Sequence, residues 1–136
     1  MTLNLLSVIR GERDITRIFQ ILFASTDTYV TGGFTVDFTK AVNTPKAPRG
    51  SLPVYAVNSS GSNLPPQVSR VTQMQSPGGY TAELIQNTAS PTIKNYLLKI
   101  WDIAGAAQLA ASGIPSGIYN DVNGFTFSFI TPKKLG

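Results

Sequence analysis

Apolar and polar side chains alternate most regularly near the end of the chain. There Gly124–Ile130 puts Phe125, Phe127 and Phe129 on one face and Thr126 and Ser128 on the other. A period of two predicts a half-buried β-strand. Phe34–Thr39 repeats the pattern, with Phe34, Val36 and Phe38 opposed to Thr35, Asp37 and Thr39, and predicts a second strand. Between Ile93 and Ile103, Leu97 and Trp101 alternate with Tyr96, Leu98 and Ile100. Both faces of that stretch carry apolar groups, so it is expected centrally in a sheet and largely covered. Gly79–Gln86 is a further candidate, and Pro53–Val57 and Gln67–Thr72 are short ones.

Asp14–Ala24 fits two periods. Ile15, Ile18, Phe19 and Leu22 make a helical stripe, but the Ile, Thr and Phe content and the run into the polar turn Ser25–Thr28 favour a strand. Leu3–Arg10 is expected to pair nearby or to serve as an extended arm. Gly32-Gly33, Pro65-Pro66, Pro77-Gly78-Gly79 and Asn123-Gly124 punctuate the chain where positive or fixed φ breaks regular structure. Only Ala104–Ala111 offers a helix, and Gly105 weakens it. Asn43–Pro53 and Asn58–Pro66 are Pro-, Gly- and Ser-rich and read as surface loops, since strands resume on both sides. The expected architecture is all-β: an antiparallel β-sandwich, jelly-roll-like, with a Pro-rich loop or arm, and a partly open barrel as its rival. One domain is expected over 1–136, with 1–10 and 41–67 as candidate extended arms.

Composition narrows the chemistry more than the fold. The 136 residues are 42% hydrophobic, enough for one core, but only 13% charged, against about 25% in an average domain. Much of the surface is therefore carried by Ser, Thr, Asn, Gln and Gly, which suits a protein that assembles. There is no Cys and no His, which excludes disulfides, thiolate zinc sites, cysteine nucleophiles and imidazole catalysis. The reading is of a non-enzyme that needs no cofactor.

Eleven Lys and Arg against seven Asp and Glu give +4, a sign that invites nucleic acid. The closest basic group, Arg10, Arg13 and Arg17, is interleaved with Glu12 and Asp14, which cancels much of its field within a Debye length of about 8–10 Å. Lys133 and Lys134 read as a solvated end. Nucleic acid is thus an unfavoured partner. No stretch is apolar enough to span a bilayer, and Met1–Ile9 is short and polar for a signal peptide, so no membrane is expected and synthesis in a cytoplasm is the default.

Other constellations have plainer readings. Glu83 and Asp102 fall in different strands and are expected to be solvated or Lys-paired. Asn120–Gly124 lacks the ligand spacing of a calcium loop and reads as a turn. Gly32-Gly33 leads into a strand and not a helix N-terminus, so it is no phosphate loop. Trp101, flanked by Ile100 and Ile103, is expected as a core or interface anchor, and the five Tyr have no common spacing.

Several segments carry a resemblance. They are Arg10-Gly-Glu-Arg13; Asp27–Thr39 with its tyrosine, Thr-Gly-Gly and aspartate strand; Pro77-Gly-Gly-Tyr80; Tyr96–Trp101; the Ala-rich stretch to Ile114-Pro115; and Phe125–Phe129. Together they resemble small structural proteins of tailed double-stranded DNA bacteriophages. The resemblance implies a β-sandwich or jelly-roll virion component: a capsid decoration (cement) protein on the outer surface of the major capsid protein shell. It further implies a homotrimer made in the host bacterial cytoplasm. The Pro-rich stretch between Lys40 and Gln67 departs from the pattern and reads as an arm toward a neighbouring subunit. Leu64, Pro65 and Pro66 are the expected arm contacts, Tyr29 and Phe34 the expected turn contacts, and Trp101 the expected packing anchor. A tail or baseplate protein that binds host glycan is the alternative, and a barrel for single-stranded nucleic acid a further rival.

Overall fold

A computed structural model describes residues 1–30, 32–43, 56–57, 63–64, 70–86, 96–110 and 112–132. Strand β1 (Thr2–Arg10) turns at Gly11 into β2 (Asp14–Leu22), and the two pair antiparallel from Thr2↔Leu22 to Arg10↔Ile15 with an irregularity between Leu5 and Ser7. Then follow β3 (Phe34–Val36), a 3-10 turn (Phe38–Lys40), β4 (Val42–Asn43), β5 (Ala56–Val57) and β6 (Asn63–Leu64). The chain continues through β7 (Arg70–Gln75), β8 (Tyr80–Gln86), β9 (Tyr96–Asp102), β10 (Ala107–Gln108), the one-turn helix α1 (Ser116–Tyr119) and β11 (Phe125–Pro132).

The fold is all-β. One sheet runs β4-β1-β2-β11-β7, antiparallel except for the short parallel contact of β4 with β1. In the other, β9 is central, with β8 on one side and β3 and β10 sharing the opposite side. β5 and β6 pair with each other. β7 and β8 are adjacent in sequence yet belong to different sheets. Gln73 closes this corner: its amide donates to Thr81 Oγ1 at 3.1 Å and accepts the Ala82 N–H at 2.7 Å.

The two sheets share one core. Phe19 and Ile21 of β2, Phe125, Phe127 and Phe129 of β11, Leu5 of β1, and Tyr96, Leu98 and Ile100 of β9 are all buried. Phe129 sits at the junction, with ring centroids 5.2 Å from Phe19, 4.4 Å from Phe38 and 5.5 Å from Tyr96. Each fully buried Phe stabilises by about 1.5–3 kcal/mol, and edge-to-face contacts add about 0.5–1.5 kcal/mol per pair.

Alternation located β11, β9 and β8, and of Asp14–Ala24 the stretch Asp14–Leu22 is a strand, as its β-branched content predicts. Other expectations are corrected. The strand from Phe34 ends at Val36, because Phe38 reaches the core from the 3-10 turn. Of Gln67–Thr72, residues 70–72 belong to β7, which runs on to Gln75, and 67–69 lie outside the described residues. Of Ala104–Ala111 the described residues, 104–110, are not helical: 103–106 turns, with Ala106 at φ 50°, into β10. The helix is instead α1, after Pro115, a residue whose fixed φ suits a helix start. Residues 1–10 are no free arm, since β1 pairs along its length with β2 and buries Leu5. Of the 41–67 arm only 41–43, 56–57 and 63–64 lie within the described residues. Among the described residues no helix is long and apolar enough to cross a membrane.

Candidate interaction surface

The glycines called for by the turns build the edges of the molecule. Gly32 and Gly33 have φ of 95° and 105°, and a Cβ at Gly33 would stand 2.6 Å from the Leu98 carbonyl oxygen. No L side chain fits that approach of loop to β9. Just before this turn, Tyr29 is buried, with its ring edge-on to Phe34 at 5.3 Å. Its hydroxyl accepts the Ile100 N–H at 3.2 Å and the Gln108 amide at 2.7 Å. Its own N–H donates to the Ser112 carbonyl at 2.7 Å. Tyr29 therefore holds the turn from inside and does not face a partner, a correction to its place among the contact residues. Phe34 is half-buried between Tyr29 and Phe23, 5.1 Å away. Leu64 lies in β6, and Pro65 and Pro66 lie outside the described residues.

The acidic side chains do not converge on one another. Among the described residues no group of three or more metal-ligating side chains comes together. Glu83 stands opposite Lys99 across β8 and β9, whereas Asp102 stands opposite Tyr80, three residues further along β9. Asp102 Oδ1 accepts the Ala104 N–H at 3.0 Å, and Asp121 Oδ1 accepts those of Asn123 and Gly124 at 2.9 Å each. These are turn-stabilising bonds of the kind that put Asp in loops, and the turn reading of Asn120–Gly124 holds.

Asp27 does the same work at the sheet end. Partial desolvation alone would push its carboxyl up. Hydrogen bonds from the Met1 ammonium (2.9 Å) and the Ala24 N–H (2.8 Å), with the ammonium's attraction, outweigh that and hold it below the usual Asp value.

Of the Arg10–Arg13–Arg17 group, Arg17 is buried. It is 5% exposed and points inward opposite Phe129. Burial first, and then the nearby Arg10 charge, lower its pKa. Its guanidinium donates to Thr131 Oγ1 at 2.8 Å. The signal was present in the sequence: once Asp14–Leu22 is a strand, Arg17 shares parity with Ile15, Phe19 and Ile21.

Trp101 was expected in the core or at an interface. On β9 the buried set is Tyr96, Leu98 and Ile100, which leaves Leu97, Lys99 and Trp101 half-exposed on the outer face. Trp101 is therefore not a core residue. On β8, Ala82 is buried and Leu84 packs on the core, so Thr81, Glu83 and Ile85 share the outer face with Trp101. The register makes three cross-strand rows: Thr81↔Trp101, Glu83↔Lys99 and Ile85↔Leu97. The surface is a patch with an aromatic row, a charged row and an aliphatic row, suited to contact with another macromolecule. No known family, curated protein or solved structure matches this chain.

Proposed function

We propose that this chain is a non-enzymatic virion component, a capsid decoration (cement) protein of a tailed bacteriophage that seats on the outer surface of the major capsid protein shell as a homo-oligomer. In this reading the two sheets around one core are a β-sandwich of the jelly-roll kind, and the Pro-rich stretch between Lys40 and Gln67 is an arm. The supporting observation is the half-exposed outer face of β8 and β9, where Trp101, Leu97 and Ile85 offer apolar area. Aromatic groups on such a face carry a disproportionate share of contact energy.

The mechanism is mass action. A protein that binds only the assembled shell stabilises it by about 2.7 kcal/mol when its free concentration is a hundred times Kd, and the lattice repeats that gain at every site. The test is labelling and counting on purified virions. A copy number that matches the shell lattice, with label over the heads, is the expected result. Label confined to tail tips, with a handful of copies, would move the protein to the tail or baseplate.

A further inference from the structure

The outer face of β8 and β9 is complementary to itself. Along these strands successive outer rows lie about 6.7 Å apart and neighbouring strands about 4.8 Å apart. Consider a two-fold axis that runs parallel to the strands, between β8 and β9, in the plane of contact. It keeps each row at its own height and exchanges the two columns, so β8 of one copy lies over β9 of the other. Glu83 then faces the partner's Lys99, and Lys99 faces the partner's Glu83. Ile85 meets the partner's Leu97, and Thr81 meets the partner's Trp101. Charge falls on opposite charge and apolar on apolar without any change in the register that the chain already has. A two-fold axis perpendicular to the strands would instead put Glu83 on Glu83 and Lys99 on Lys99, so the charged row selects one arrangement.

We infer that this face is a self-association surface, and that its occupant is a second copy of the chain in an isologous pair with the two sheets aligned face to face. Isologous contacts are the commonest route to soluble oligomers, and aligned sheets pack about 10 Å apart with their side chains interdigitated. In this pair β8 and β9 of one copy overlap those of the other, two strands wide and seven residues long on β9, a footprint of about 10 by 23 Å. That is below the roughly 800 Å² per partner of a stable interface, so the pair is a weak one that forms at high protein concentration. The unit is a dimer where the phage resemblance implied a trimer, and a face covered by the second copy supplies the homo-oligomer contact of the proposed function, not its seat on the shell.

The deciding experiment uses charge reversal in two separate chains, Glu83→Lys and Lys99→Glu. Sedimentation equilibrium of the unaltered protein at high protein concentration is expected to give a dimer. Each variant alone places like charges on one another at both ends of the row. Each should associate at least about tenfold more weakly, since such juxtapositions cost well over the 1.4 kcal/mol that makes a tenfold change. Mixed one to one, the two variants face each other with every charge opposed, and the dimer returns as a heterodimer. A charge effect confined within one chain would not produce that rescue.

Far-UV circular dichroism of each variant checks that the fold is intact. A second measurement does not depend on charge. The chain has no Cys, so Ile85→Cys mixed with Leu97→Cys should be joined between copies by a bifunctional thiol-specific reagent long enough for sheets about 10 Å apart, while β8 and β9 within one copy carry a single thiol. A wild-type monomer or trimer, a variant mixture no heavier than its parts, or absence of the cross-link would overturn the inference.

Discussion

Tyr29 shows how one hydroxyl joins two parts of the fold, because it accepts from the β9 backbone at Ile100 and from Gln108 beside it. Tyr29→Phe keeps the ring against Phe34 but leaves a buried N–H without its acceptor. The expected loss is about 1–3 kcal/mol, read as a shift in the urea midpoint at constant slope. Thr131→Val makes the same point at the inner end of β2 and β11. The shape is nearly kept and the acceptor for Arg17 at 2.8 Å is lost; a bond to a charged donor is worth about 1.5–3 kcal/mol. Equal melting temperatures for Thr131→Val and the parent would show that the hydroxyl contributes nothing to holding Arg17. Only the second of these roles was legible in the sequence. Tyr29 lies in a loop that only Gly33's approach to Leu98 brings down on β9, and Arg17 was weighed by its charge when its parity in the strand was the deciding property.

At the scale of elements, legibility followed the contrast between faces. β11 alternates Phe with Thr and Ser, and it was placed correctly. β9 has apolar residues on both faces, so alternation identified a central strand but could not say which face turned inward. That ambiguity left Trp101 as either a core or an interface anchor. The helix was missed because four residues are too few to show a period. The 3-10 turn looked like strand because Phe38 keeps the alternation while its backbone does not. Partition into two sheets was also hidden: β7 and β8 flank a Pro-Gly-Gly turn and would pass for a hairpin, but few contacts join them beyond the Gln73 side chain. Gln73→Ala should therefore loosen this corner specifically. Faster amide exchange at Ala82, with unchanged protection at Ile100 in the centre of the sheet, is the expected pattern, because β8 loses the group that accepts its outer N–H.

For the whole molecule, pH and the exposed tryptophan separate what folding needs from what assembly needs. Asp27 has its pKa lowered in the folded state, so its stabilising contribution is complete above its unfolded value of about 3.9 and fades as the pH falls through the lower folded value. The parent should outlast Asp27→Asn in thermal melts near neutral pH, with the gap closing in acid; a gap that widened in acid would contradict the assignment.

Trp101→Ala tests the other side. A fully buried Trp or Phe replaced by Ala costs about 3–5 kcal/mol, but Trp101 is half-exposed on the outer face, so the folding cost should be about half of that. Loss of association should be disproportionate, because the indole forms the aromatic row of the contact. A melt that shifts modestly while the sedimenting mass falls to one chain would place Trp101 at a contact between molecules. A full-size stability loss with the mass unchanged would return it to the interior.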